Sequence, residues 1–334
     1  MPSKHVRITD VAAQAGVSIA TVSHVLSGRR PVSESTRRRV QEVIDEMGYR
    51  PSAIARSMVT RRTHTVALII PDITNPFYTA IARGLQDALT PSGYFALVVS
   101  TDGDPEIERQ AVEHMIARRV DAIGFSGYYK HLRDVEPAVA AGIPVVLLGS
   151  RTPRPGVDTV FSDDVGAAAL ATQHLIDQGY DRIAFITGPA GQGPPSDRVA
   201  GYTETLAENG LTAQPELVVR TQFNRDGGRA GMRRLLELAT RPRAVICTND
   251  VVAIGAMDTL REAGLRCPGD VAIIGFDDIE AASLVSPPLT TVLIRAREEG
   301  AACGRLLLHR LSDDQQQPPQ TVMFSATLVR RESA

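Results

Sequence analysis

From Thr65 onward the chain repeats one pattern, a short and nearly continuous apolar run followed by a longer stretch of helical character. VALIIPD (66–72), FALVVST (95–101), DAIGFSG (121–127) and PVVLLGS (144–150) form one series. RIAFITG (182–188), LVVRTQF (217–223), AVICTND (244–250) and VAIIGFDD (271–278) form a second. Strands that are apolar on both faces belong to parallel sheets covered by helices on each side. Two series predict two doubly wound parallel-sheet lobes with a boundary near residue 162. A tail of TTVLIR (290–295), a helix from about Ala296 and a last strand in TVMFSATLVRR (321–331) is expected to cross back between them. DDQQQPPQ (313–320) reads as a polar surface loop.

The first fifty residues follow a different period. In ITDVAAQAGVSIATVSHVLSG (8–28), Thr9 is the expected cap of a first helix reaching about Ala15, and Gly16 supplies a left-handed turn. Ser18 caps a second helix that ends near Ser27, with Gly28 as its stop. Val11, Ala15, Val22 and Val25 fall inward at helical spacing, and Ala12 is small where two helices must cross. That is the spacing of a helix-turn-helix. The second helix then presents Ile19, Ala20, Thr21, Ser23 and His24 outward. Ser33 caps a third helix through about Met47, with Gly48 as stop and Val40, Val43, Ile44 and Met47 as its buried stripe. In YRPSAIARSMVTRR (49–62), Ala53 to Val59 has helical composition but is too short to persist alone. It reads either as a plain linker or as a segment that folds on binding.

Capped helix pairs are common, so charge decides the reading. Residues 1–62 carry eleven Lys and Arg against five Asp and Glu, whereas the rest of the chain carries 25 against 33. The overall charge of −2 therefore hides a basic head on an acidic body, as expected where one end meets phosphate. Cys247, Cys267 and Cys303 are scattered, with no metal-ligand or disulfide spacing. No apolar run has spanning length and no signal-peptide core opens the sequence, so the expected compartment is the cytoplasm, with no membrane partner.

Ligands of open α/β sheets sit at the carboxyl ends of the strands, and here two sets of ends meet across a cleft. Phe77, Tyr78 and Phe223 offer aromatic faces, and Arg198, Asn249 and Asp277 offer planar hydrogen-bonding edges. Together they suit a ring bearing hydroxyls, a sugar or nucleoside. Taken singly, Phe77 reads better as core packing, and Asp277 reads equally well as a helix cap. TGPAGQGPPSDR (187–198) lacks the spacing of a phosphate-binding loop. No catalytic constellation and no cofactor site stands out, which argues against an enzyme.

TDVAAQAGVSIATVSHVL, PSAIARSM, ICTNDVVAIGAM, IIGFDD and PPLTTV occur in the order found in the lactose/galactose repressor (LacI/GalR) family, which this chain resembles over essentially its full length. The resemblance implies a helix-turn-helix domain (residues 1–50), a hinge helix and linker (51–62), and a periplasmic-binding-protein-like core (63–334). Within the core, lobe one is about 63–161 and 291–320, and lobe two about 162–290 and 321–334. It implies a homodimer on a pseudo-palindromic double-stranded operator, switched by a small-molecule effector, as a repressor of carbohydrate-utilisation genes. By position, Ser18, Ile19, Ala20, Thr21, His24 and Arg30 would face DNA, with Thr9 and Ser23 counted in the same set. Ala55 and Met58 would enter the minor groove. Phe77, Tyr78, Arg198, Phe223, Asn249 and Asp277 match effector-contacting positions. Two residues depart from the pattern: Met58 stands where the family usually has leucine, and Gly149 where many sugar-binding members carry aspartate. Alternatives are a soluble sugar- or nucleoside-binding protein and a regulator that responds to a purine.

Overall fold

The structure, a computed structural model, describes residues 6–27, 30–49, 57, 62–127, 135–149, 151, 155–189, 193–312 and 317–334. Met1–Thr63 and His64–Ala334 form separate compact units.

In the first unit, α1 (Ile8–Ala15), α2 (Ile19–Ser27) and α3 (Glu34–Met47) enclose Val11, Ala12, Ala15, Val22, Val25, Val40, Val43 and Ile44. Thr9 is not the cap of α1. Arg7 holds that position, and its backbone amide donates to Asp10 Oδ2 at 2.8 Å, so an acid three residues on satisfies the end in place of a hydroxyl. Gly16 takes φ 63°, and the next amide, of Val17, closes on the Ala12 carbonyl at 3.0 Å. Ser18 Oγ accepts the amide of Thr21 at 3.1 Å, and Ser33 Oγ that of Thr36 at 3.4 Å. Gly48 ends α3 at φ 60°. Gly28, and the expected hinge helix with Ala55 and Met58, lie outside the described residues.

The second unit opens with β1 (Thr65–Ile70), α4 (Pro76–Leu89), β2 (Phe95–Ser100), α5 (Pro105–Ala117), β3 (Ala122–Phe125), α6 (Glu136–Ala140), β4 (Val145–Leu148) and β5 (Asp158–Ser162). It continues with α7 (Asp164–Asp177), β6 (Ile183–Thr187), α8 (Gly193–Glu208), β7 (Val218–Arg220), α9 (Arg225–Leu236) and β8 (Ala244–Cys247). Then come α10 (Asp250–Glu262), β9 (Ala272–Phe276), α11 (Glu280–Leu284), β10 (Thr290–Leu293), α12 (Ala296–Leu311), β11 (Thr321–Phe324) and β12 (Thr327–Val329). The strands form two sheets, β11-β5-β4-β3-β1-β2 and β12-β10-β9-β8-β6-β7. Every pairing is parallel except that of β10 with β12. Most of the apolar runs become buried central strands, while β2 and β7 take partly exposed edges of their sheets, and each buried Leu or Ile contributes about 1.5–3 kcal/mol.

Three details depart from the sequence reading. DTVFS forms β5, a strand its polar ends conceal. TTVLIR pairs through Thr290–Val292 with β9 and through Thr291–Leu293 with β12, so residues 291–293, which the boundary at 291 gives to the first lobe, lie in the second sheet. The last strand is two: Thr321–Phe324 joins β5 in the first sheet, and Thr327–Val329 joins β10 in the second. The chain therefore crosses between sheets three times, after β5, after β10 and after β11.

Packing of α12 on α4 leaves no room for side chains at two glycines. A Cβ on Gly300 would stand 2.0 Å from the Ile81 carbonyl oxygen, and one on Gly84 would stand 1.9 Å from that of Arg297. Gly300→Ala should therefore force the helices apart and destabilise the protein by about 1–3 kcal/mol. The denaturation midpoint reports this, and an unchanged midpoint would contradict so close a crossing.

Candidate functional site

On the reading head, Ser18, Ile19 and Ala20 at the start of α2 are exposed, Ile19 at 49%. Thr21, Ser23 and His24 are half-buried around Val22 and Val25, which face the core. Arg30 and Thr9 are exposed. Thr21 is already engaged in the free protein, since its hydroxyl lies 2.9 Å from Ser18 Oγ. A base contact by Thr21 must share or replace that bond.

In the second unit the strand ends of both sheets line one cleft. It brings together all six residues singled out in the sequence, Phe77, Tyr78, Arg198, Phe223, Asn249 and Asp277. From the first lobe, Asn75 caps α4 by accepting the Phe77 amide at 3.0 Å, which fixes the start of the helix that carries Phe77 and Tyr78. Their rings meet edge to face at 5.2 Å. Phe77 also packs against the cores of both lobes, so the packing and cleft roles coincide. Across the cleft, Phe223 lies flat on Gly188, where any Cβ would strike the ring. Asn249 caps α10 through the Val252 amide at 2.8 Å, leaving its NH2 group as what it can offer a ligand.

Arg198 is not on a loop after a strand, because PPSDR forms the first turns of α8. Its Nε donates to Asp164 Oδ1 at 2.7 Å and its Nη1 to the Thr248 carbonyl at 2.5 Å. Asp277 Oδ1 stands 4.0 Å away, and the Phe276 ring lies 4.5 Å beneath the guanidinium. Burial works against the Arg198 charge, but Asp164 and Asp277 outweigh it and hold the group above its ordinary value. Burial pushes Asp277 well above the carboxylate range, and Asp164 rises for the same reason against the pull of Arg198. One cation thus serves two buried acids. Asp277 is no helix cap: Ile279 precedes α11, and the Asp277 amide bonds the Val292 carbonyl at 2.9 Å with φ at 103°.

The sequence reading omitted Ser162, Asp164 and Glu299, which also line the cleft. Ser162 ends the unrecognised β5, and Asp164 follows it. Glu299 sits on α12, 3% exposed, with its Oε1 accepting from Ser162 Oγ at 2.5 Å. Burial raises its carboxyl to about 8. Asp250, beside Asn249, does not line the cleft. It accepts the Ile279 amide at 2.9 Å and the Thr291 hydroxyl at 2.6 Å, a structural tie whose burial lifts it to about 7.

A model of bacterial regulatory proteins of the lacI family matches residues 7–52, and one of a periplasmic binding protein-like domain matches residues 172–334. The ribose operon repressor of Escherichia coli (strain K12) is 36% identical over 327 residues, covering 97% of this chain and 98% of the relative. The lac repressor dimer bound to operator and the anti-inducer ONPF superposes with a TM-score of 0.86 at 26% identity, covering 99% of each chain. A LacI family transcriptional regulator from Enterococcus faecium with bound ribose gives 0.73 at 27% identity, covering 81% of this chain and 98% of that one.

Two outcomes follow from the charges in the cleft. Arg198→Ala strands Asp164 in the interior and should cost about 3–5 kcal/mol, with part regained when Asp164→Asn is added. A denaturation midpoint that does not move would contradict the pairing. Asp250 and Glu299 bind protons more tightly folded than unfolded, so their contribution is complete below the ordinary carboxyl range and is lost as pH rises through about 7 and about 8. The melting temperature of the ligand-free protein should fall across that window, and a flat profile would count against both assignments.

Proposed function

The chain belongs to the LacI family of bacterial regulatory proteins, and on that premise we propose that it is a sequence-specific DNA-binding repressor switched by a small sugar. Two copies take the halves of a pseudo-palindromic operator, each reading bases with the exposed start of α2. Ile19, Ala20, Thr21 and His24 meet base edges, whereas Ser18, Ser23, Arg30 and Thr9 meet backbone or groove rim. The hinge adds Ala55 and Met58 at the minor groove, where Met58 acts as an apolar wedge. Repression of genes for carbohydrate use follows from the sugar reading, and the DNA partner makes the cytoplasm its compartment. Among the described residues no helix is long and apolar enough to cross a membrane.

The observation that carries the sugar reading is the composition of the cleft. Among the described lining residues, three rings stand around a guanidinium, an amide and buried carboxyls, with one cation in the set. Aromatic faces suit the C–H side of a sugar ring, and planar polar groups suit its hydroxyl pairs. The family consists of transcriptional regulators, and the cleft acts by binding, without turnover. Effector binding favours one arrangement of the lobes, and the difference in affinity between arrangements sets how far the DNA-bound population shifts.

Operator selection from random DNA, followed by titration of the selected duplex with and without sugars, tests this reading. A half-site repeat with twofold symmetry should emerge, and one neutral sugar should change operator affinity by at least about tenfold, or about 1.4 kcal/mol. His24→Ala should relax discrimination at one position, costing roughly 1–3 kcal/mol there and little on scrambled DNA. Equal losses on cognate and scrambled DNA would remove His24 from the base-reading set.

A further inference from the structure

Glu299, one of two adjacent glutamates on α12, is buried in the first-lobe wall of the cleft. Among the described residues Ser162 is its hydrogen-bond partner, through Oε1 alone. Its helix is fixed: the Gly300 and Gly84 crossings press α12 onto α4, so Glu299 cannot swing out to water without parting two helices. The same wall lacks any side chain at Gly149, where φ is 74° and a Cβ would sit 3.5 Å from Pro194. Glu299 is therefore the one carboxyl that the described first-lobe lining offers, facing Asp164, Arg198 and Asp277 across the cleft.

We propose that the Glu299 carboxyl, held by Ser162, is a specificity-determining group that hydrogen-bonds a hydroxyl of an uncharged polyol and turns away anionic ligands such as sugar phosphates. The proposal rests on the reading of this cleft as the effector site. Among the described lining residues a phosphate would find one guanidinium, whose Nε and Nη1 are already committed to Asp164 and Thr248, and three acids that repel it whenever they ionise. A hydroxyl, by contrast, can donate to the carboxyl in either protonation state and can accept from it when it is protonated. The groups that face Glu299 set its behaviour with pH. Asp164 and Asp277 oppose its ionisation, and Arg198 with the Ser162 bond favours it, but burial dominates. A bound ligand deepens that burial. Binding therefore weakens as pH rises through the range where Glu299 ionises.

The test is calorimetry on the full chain with D-ribose, D-glucose and their terminal phosphate esters, using wild type, Glu299→Gln and Glu299→Leu. The wild type should bind one of the free sugars at least about tenfold more tightly than its ester. Glu299→Leu should lose about three- to tenfold in affinity for that sugar, the range of one hydrogen bond. Glu299→Gln keeps a donor and an acceptor; it should stay within about threefold of wild type and lose the fall in affinity seen between about pH 6 and pH 9. Equal binding by wild type and Glu299→Leu, or an ester bound as tightly as its sugar, would overturn the proposal while leaving the effector site in place. Failure of the wild type to bind either free sugar would overturn both readings. The melting temperature of each variant establishes that it is folded, and a Glu299→Leu protein that is folded but unaltered in binding is decisive against a contact.

Discussion

The second lobe is organised around a guanidinium that has been taken out of water. Burying a charge costs several kcal/mol unless it is paired and hydrogen-bonded. Arg198 meets that requirement by drawing on separate pieces of chain: Asp164 from α7, the Thr248 carbonyl after β8, Phe276 at the end of β9 and Asp277 just beyond. Apart from the neighbours Phe276 and Asp277, these pieces are far apart in sequence, so the pairing holds only when the sheet order and the helix positions are right. The cleft wall is the result. Because one cation is shared between two acids, Arg198 has no surplus positive charge to offer an anion, whereas a neutral ligand needs none.

A second constraint recurs at each helix pair that flanks the cleft. Gly84 and Gly300 let α4 and α12 touch backbone to backbone, Gly201 does so for α8 on the Val165 carbonyl, and Gly228 with Gly255 for α9 and α10. In every case a Cβ would lie about 2 Å from a carbonyl oxygen of the neighbour. Glycine weakens a helix by roughly 1 kcal/mol relative to alanine, so its repeated use implies that close approach returns more than it costs. The return is positional. Those contacts set the height of the helices that bear Phe77, Tyr78, Arg198 and Glu299.

Most of the fold was legible because central parallel strands must be apolar on both faces, and such runs stand out against helices. DTVFS was not, since Asp158 and Ser162 at its ends look like loop. In the structure Asp158 is paired with Arg310 at 2.7 Å and Ser162 with Glu299, partners more than a hundred positions away. Thr9 misled for a local reason: Asp10, one residue on, satisfies the helix end through the Arg7 amide. The six cleft residues were found because each follows a strand or opens a helix. Glu299 was not, because in AREEGAAC the two glutamates look alike. Spacing separates them: Glu299 shares the stripe of Ala296, Gly300 and Cys303, which is buried, and Glu298 is exposed. An acid on the apolar stripe of a helix was the available signal, and it points to a polar partner in the interior.

The division of the last strand between two sheets has a consequence for biosynthesis. Thr321–Phe324 completes one lobe and Thr327–Val329 the other, so neither sheet has its full complement of strands until this segment has left the ribosome. The helix-turn-helix unit, complete by Met47 and built from local contacts, can fold long before. Translation thus delivers a reader ahead of its sensor. Any nascent or prematurely released chain carries a folded head without a finished body, and its first sheet exposes the edge of β5 that β11 would cover. Quality control acting on that open edge would be what separates a ligand-responsive protein from a head that has lost its switch.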